Sequence, residues 1–416
     1  MMNHTRTALA LASAVAILAG CSGGNGGIVG CTDSTVCAIA AGGQCLPAPV
    51  GFNVCAYPAA ECPSGLAWSP EAGSLAGVCV AQDIDAGTDA PSIDAPSGCN
   101  GLRVAFSDGS ANSLEVYAAN PDGTGVTNLS TNAANDYRPH WSKVGNLIAF
   151  ESSRTGNAEI FTVSGTGSTP RNITQNPAAD TRPVFSPDGT KIAFSRQAPG
   201  ALSPTLWVMN ADGSNARQIS TLDVWGDTPL SWSPDSTRIA FVVGAIGSRD
   251  VLTVGLTGTA PTNLCEWTTA SCDDPDWSPD GTRLVLDVTN TDGEIYVINA
   301  DNSNPTNITN APSSNEFRPS WSPDGTAIAF SSNRRGQLEI FRSAFPVSGE
   351  PARLTTNNNT THDHGPKWSP DGKHLAFIRK ASGGTAKIAT VNADGTNYAD
   401  FSASANADDP SWSPCQ

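Results

Sequence analysis

The sequence predicts an all-β fold: a seven-bladed β-propeller of four-stranded blades, preceded by a small disulfide-rich module. Three observations carry the prediction. A phrase of the type W-S-P-D-G-x-x-I-A-F recurs along the C-terminal three quarters of the 416 residues. Its opening aromatic stands at Trp141, Phe185, Trp232, Trp277, Trp321, Trp368 and Trp412, with gaps of 44, 47, 45, 44, 47 and 44 residues. That period is in the range of four-stranded propeller blades. The chain is also rich in Gly (40) and Pro (30) and only 15% charged, which favours short strands and turns over long helices.

Each repeat reads as four strands. The stretch ending in Trp-Ser is the first. Ser-Pro-Asp-Gly then turns the chain, with Pro fixing φ at one corner and Gly taking the left-handed position that closes the hairpin. The second strand is the I-A-F segment, where large Ile and Phe alternate with small Ala. The third appears as AEIFTV from Ala158, TLWVMN from Thr205, GEIYVIN from Gly293 and LEIFRS from Leu338. A polar turn (NADGSN from Asn210, NADNSN from Asn299, NADGTN from Asn392) leads to a fourth strand ending RNIT, RQIS, TNIT or ARLT.

The count comes from the two ends. Sets of second-to-fourth strands begin at Leu102, Leu147, Lys191, Arg238, Arg283, Ala327 and His374, which makes seven. The first set has no W-S-P-D-G before it, and the last phrase, WSPCQ, has no I-A-F after it. These halves complete one another, so the C-terminal strand closes the ring and leaves no free sheet edge. In the same register Cys99 falls on the turn that Cys415 enters, and a Cys99–Cys415 disulfide is expected to lock the seam.

Residues 1–20 read as a lipoprotein signal peptide. Arg6 precedes an apolar run, Ala8 to Ala19, too short for a bilayer span of ~20 residues. Leu18-Ala19-Gly20-Cys21 resembles a bacterial lipobox, which implies cleavage before Cys21 and lipidation of that residue. Ser22 occupies the place where an Asp would retain a lipoprotein at the inner membrane, which favours the outer membrane. No other stretch is apolar enough to cross, so lipid would be the only membrane attachment. Of 11 cysteines, removing Cys21 leaves an even number, as expected in an oxidising compartment. Residues 21–30 then read as a flexible tether. Residues 31–80 form a six-cysteine module with its pairing open, 81–98 an acidic Ala/Pro/Ser linker, and 99–416 the propeller. A net charge of −16 argues against nucleic acid as a partner.

The phrase x-P-x-W-S-P-D-G-x-x-I-A-F, followed by E-I-[FY]-x-[VM], an N-A-D-G turn and R-x-[IL]-T, is similar to the repeats of TolB-type propellers, a variety of WD-like repeat. The resemblance spans roughly residues 99–416. It implies a cell-envelope protein whose channel mouth binds a protein partner, since the family's namesake is periplasmic and binds a peptidoglycan-associated lipoprotein there. Three departures put a literal copy of that role aside. This chain has a lipobox, a cysteine-rich module in place of an α/β domain, and seven blades where the namesake has six. Taken with the lipobox, the resemblance leads to the expectation of a non-enzymatic, monomeric, lipid-anchored binding platform for an envelope protein, peptide or glycan, with no cofactor.

In a propeller the fourth-to-first connections and second-to-third loops share one face, around the channel mouth. Five residues before the aromatic stand Asp136, Asp180, Asp227, Glu316 and Asp363; the other two copies offer Asp273 and Asp274, and Asp408 and Asp409. Arg138, Arg182 and Arg318 follow three of the acids by two residues, and Arg154 and Arg335 lie in neighbouring loops. These acids either cap their own turns and pair with Arg, or form a net-acidic rim for a Lys- or Arg-rich partner. Cys265 and Cys272 bracket a loop carrying Trp267, which a disulfide would present as a binding anchor or pack inward. His140, His362 and His364 are candidate ligands for the enzymatic alternative, a metal-dependent lyase or hydrolase acting on polysaccharide. No G-x-S-x-G elbow supports a serine hydrolase.

Overall fold

A computed structural model describes Cys99 and residues 101–110, 113–225, 229–245, 247–258, 260–357, 360–401 and 407–415. It also gives the backbone of five short strands between Cys21 and Trp68. The chain divides into two units, Met1–Asp94 and Ala95–Gln416. In the first, Cys21–Gly23 pairs antiparallel with Val29–Cys31. Gln44–Pro47, Asn53–Pro58 and Leu66–Trp68 form a three-stranded meander. The signal-peptide residues and the acidic linker lie outside the described residues.

The second unit is built from seven four-stranded antiparallel sheets. From the inner strand outward, blade 2 runs Asp136–Trp141, Leu147–Ser152, Glu159–Ser164, Arg171–Asn172, and blade 3 Ala179–Phe185, Lys191–Gln197, Thr205–Asn210, Arg217–Asp223. Blade 4 is Ser231–Trp232, Arg238–Ala245, Ser248–Gly255, Thr262–Asn263; blade 5 is Ser271–Trp277, Arg283–Thr289, Gly293–Asn299, Thr306–Asn307. Blade 6 is Glu316–Trp321, Ala327–Ser332, Glu339–Ala344, Ala352–Arg353; blade 7 is Thr361–Trp368, His374–Ala381, Ala386–Asn392, Ala399–Phe401. Blade 1 takes its inner strand, Asp408–Trp412, from the C-terminus and the others, Val104–Ser110, Ser113–Ala119 and Thr127–Asn128, from the N-terminal side. Trp412 pairs with Val104 and Ser411 with Ala105, and Cys99 and Cys415 form a disulfide with Cα atoms 4.5 Å apart. The seam is closed as the repeat register requires.

The large–small alternation of the second strand decides how blades stack. Ile148 and Phe150 pack with Ala105, Val116 and Leu129 of blade 1, whereas Ala149 faces Phe185, Ile192 and Phe194 of blade 3. Each wedge between blades therefore receives large side chains from one sheet and small ones from its neighbour, which lets the sheets pack closely around the ring. Phe106, Phe150, Phe194, Phe241, Phe330 and Phe377 are all fully buried at the matching position. Each contributes about 1.5–3 kcal/mol of burial.

The W-S-P-D-G phrase is a hydrogen-bonded turn. In blade 3, Ser186 Oγ donates to Asp188 Oδ1 (2.5 Å) and accepts the Lys191 N–H (3.0 Å), while Asp188 accepts from the Thr190 N–H (2.9 Å). Blades 4 to 7 repeat the Ser–Asp bond. Gly189, Gly281, Gly325 and Gly372 take the expected left-handed conformation, and in blade 4 Ser236 adopts it at φ 60°.

Candidate functional site

Inner strands of neighbouring blades run close to one another at six of the seven steps around the ring, the step from blade 3 to blade 4 excepted. In six blades each breaks register three residues before its aromatic. The cause is local: the next residue is Pro139, Pro183, Pro275, Pro319, Pro366 or Pro410, which has no N–H to give the ladder. The residues at the break have positive φ: Arg138 (49°), Arg182 (56°), Asp274 (46°), Arg318 (51°), Gly365 (69°) and Asp409 (52°). For a residue with a Cβ this costs about 1–2 kcal/mol. Side chains of the preceding blade hold the bulge: Ser331 Oγ accepts the Gly365 N–H (3.1 Å) and Asp287 Oδ1 the Arg318 N–H (3.4 Å). The result is a ring of six bulges carrying three arginines and two aspartates around the mouth.

The acids five residues before the aromatic sit behind this ring. Asp136, Asp180, Glu316 and Asp363 have no solvent exposure. Each pairs with an arginine from the second strand of its own blade or the loop after it. Arg154 reaches Asp136 (3.0 Å), Arg196 reaches Asp180 (2.6 Å), Arg334 reaches Glu316 (3.3 Å) and Arg379 reaches Asp363 (2.6 Å). The same guanidiniums lie over Phe161, Trp207, Phe341 and Tyr398 at 4.3–5.1 Å. These four carboxylates are thus withdrawn from the rim surface and brace the blades, because an ionised group so deeply buried persists only with a paired cation. Arg154 belongs to this set; for Glu316 the partner is Arg334, while Arg335 is exposed. Asp227 lies outside the described residues.

What faces the mouth is therefore of mixed charge. Arg138 donates to the buried Glu151 (2.9 Å) and lies 3.9 Å from Asp409, which is half-exposed. Burial raises the Glu151 pKa, against the opposing pull of Arg138. Arg318 is 3.9 Å from Asp274 and 3.1 Å from His364 Nδ1. Its side chain runs over Gly365, where an added Cβ would stand 3.5 Å from Arg318 Nη1. Arg182 is half-buried at the same level.

Blade 5 differs from the rest. Asp273 lies directly across the inner hairpin from Asp287, next to Asp274. The same three places hold Tyr137, Arg138 and Glu151 in blade 2, and Phe317, Arg318 and Ser331 in blade 6. Asp273 pairs with Arg249 of blade 4 (2.5 Å), but burial together with Asp274 pushes its carboxyl up to about 7. Burial and the two neighbouring aspartates also raise Asp287 well above its ordinary value.

The three histidines are separate features. His140 lies beside its aromatic, and its Nδ1 accepts the Phe185 N–H of the next blade (3.2 Å). Low solvent access and nearby Lys143 and Lys367 push it down to about 3. Ser411 and Asp276 act alike at the matching places, accepting the N–H groups of Trp141 and Trp321 (both 2.9 Å). His364 Nδ1 accepts from Arg318, and its low solvent access and that guanidinium hold it near 4. His362 is half-buried on the same strand. Among the described residues, no three His, Cys, Asp or Glu side chains are grouped to hold a metal ion.

Cys265 and Cys272 form a disulfide with Cα atoms 6.5 Å apart. Trp267, in the loop between them, is half-buried against Tyr296 (4.9 Å between ring centroids) and donates its indole N–H to the Leu264 carbonyl (2.9 Å). Glu151 and Asp287 escape a search keyed to the residues before the aromatic. The signal that finds them is an acid straight after the I-A-F or L-V-L triplet, present in two second strands.

Comparisons bear on the fold. The TolB from Acinetobacter baumannii superposes with a TM-score of 0.51 at 16% identity, covering 75% of this chain and 82% of its own. An oligogalacturonate lyase in complex with manganese gives 0.52 at 14% identity, covering 71% of this chain and 83% of the lyase. The β-propeller domain of the trilobed protease from Pyrococcus furiosus, described as having an open velcro topology, gives 0.53 at 12%, covering 72% and 94%. Here the C-terminal strand closes blade 1 instead. No curated protein sequence matches the chain. The sequence description of the TolB beta propeller domain matches residues 88–264 and 203–416, most of the chain. With the repeat, the seven closed blades and these matches together, the chain belongs to the TolB β-propeller family.

Proposed function

We propose that this protein is a non-enzymatic binding platform of the cell envelope, anchored by lipid on Cys21, with a protein or peptide, or a glycan, held at the channel mouth. The observation that carries the reading is the bulge ring. Six consecutive-register bulges hold Arg138, Arg182, Arg318, Asp274 and Asp409 in left-handed backbone at one level of the channel, while the braced carboxylates behind them stay buried. Strain of this kind, over-determined by its surroundings, concentrates where side chains are aimed at a ligand. A mixed ring of fixed charges suits recognition of a complementary surface, where charge sets specificity and on-rate. The lipobox and the paired cysteines support an exported, anchored location, and Ser22 favours the outer membrane.

The test is crosslinking from the native envelope with a photoreactive group near Arg182, followed by isolation of the adduct. A single major adduct that disappears when Arg138, Arg182 and Arg318 are changed together to Glu supports the reading. An undiminished adduct, or one mapping to the outer edges of the blades, sinks it.

A further inference from the structure

Blade 5 gathers three carboxylic side chains at the mouth, faced by two arginines. Its three aligned places, Asp273, Asp274 and Asp287, are all carboxylic, whereas blade 2 sets an arginine against its glutamate at the corresponding places. Two cations lie within reach. Arg249 Nη2 pairs with Asp273 Oδ2. Arg318 stands 3.9 Å from Asp274 Oδ2, beyond a hydrogen bond, and its Nη1 is turned to His364.

A second observation points to a missing donor. Asp273 is only 5% exposed, and its Oδ1 is buried with no hydrogen-bond partner. Residues directly opposite on an antiparallel pair share a face, with Cβ atoms about 4.5–5.5 Å apart, so the orphan oxygen belongs to a side chain beside Asp287. A buried acceptor left unmade costs about 1–3 kcal/mol. The uncharged form of the pair, favoured by burial, limits that cost in the absence of a ligand.

Resting on the mouth-binding reading above, we infer that Asp273, Asp274 and Asp287 form the subsite for one basic side chain, a lysine ammonium or arginine guanidinium, on the bound partner. An inserted cation supplies the absent donor, and its charge favours the ionised form that burial of the pair opposes. The recognition is then local, one basic residue at blade 5, and not a general attraction to an acidic rim.

The experiment is a panning of phage-displayed random dodecapeptides on the full-length protein, repeated on three variants: Asp274→Asn, the triple change Asp273→Asn/Asp274→Asn/Asp287→Asn, and Arg138→Glu/Arg182→Glu. Asp274→Asn touches a partly exposed rim residue and keeps the test open if the triple variant folds poorly. The expected result is a family of peptides sharing one Lys or Arg at a fixed place, each losing about tenfold or more in affinity for Asp274→Asn and falling similarly when that residue becomes norleucine. Peptides sensitive to the arginine variant but lacking a fixed basic residue, or unaffected by the aspartate changes, overturn the subsite and leave the mouth reading standing. Peptides indifferent to every variant, or no enrichment at all, overturn both.

Discussion

Arg318 Nη1 lies 3.1 Å from His364 Nδ1, across the gap that Gly365 leaves in the channel wall. A guanidinium only donates, so Nδ1 must accept and the ring proton of neutral His364 sits on Nε2. With its pKa held near 4, against about 6.5 in the unfolded chain, the folded state binds fewer protons than the unfolded one in between. This contribution to stability is present above about pH 6.5 and is lost as pH falls toward 4. Imidazole resonances recorded by NMR from pH 8 to pH 5 should show the Nε2–H tautomer throughout. Titration of His364 near 6.5 would show that the contact with Arg318 does not persist in solution.

Blade 5 has the opposite sign. Asp273 is raised to about 7 and Asp287 is raised above the carboxylate range, so the fold retains protons that the unfolded chain releases near pH 4. The associated stability is present at low pH and is lost as pH rises through about 7. Asp287→Asn removes the need to ionise while keeping the shape. Calorimetry should find its Tm above wild type by about 2 °C or more at pH 8, with the gap closing at pH 5. A gap independent of pH would refute the shared burial of the pair.

Asp180 and Arg196 make the contrasting case, a buried ion pair with bonds of 2.6 and 2.7 Å. Asp180→Ala leaves a guanidinium unpaired inside the blade and should cost about 3–5 kcal/mol in urea unfolding. Asp274→Asn, at the rim, should cost under about 1 kcal/mol. Equal losses from the two would mean that Asp180 is not the brace that its burial makes it.

The seam offers the fourth prediction. Cys99 and Cys415 are separated by 316 positions, so their disulfide removes a large loop-closure entropy from the unfolded chain, nominally more than ~4 kcal/mol. Mass mapping of exported protein should find the Cys99–Cys415 crosslink. Cys415→Ser should lower stability while leaving the Cys265–Cys272 bond intact; free thiols at both seam positions in the native protein would remove the clasp.

Some of the site was legible and some was not. The acids and arginines near the mouth stand out because each recurs at a fixed distance from its aromatic. Their roles are not separable that way. Asp136 and Arg138 are two residues apart on one strand, yet the first is buried under Arg154 and the second projects at a bulge. The bulge reverses the alternation that a plain strand would impose, because Pro139 interrupts the ladder. The expectation of a net-acidic rim weakened for this reason: four of its carboxylates turn inward to arginines elsewhere in their own blades.

Blade number, strand order and the closed seam were determined by the sequence alone, since a repeat near 45 residues with complementary half-blades at its ends has one ring-closing solution. The large–small I-A-F alternation likewise dictated which face of each sheet receives its neighbour. Only the tertiary structure decided which charges meet. Asp273 finds Arg249 from the preceding blade, Arg318 finds His364 from the next, and His140 accepts the Phe185 N–H 45 residues away. Those encounters depend on the curvature of the ring and the register of six bulges, which place side chains from different repeats within a few ångströms. Spacing along the chain carries no record of that distance.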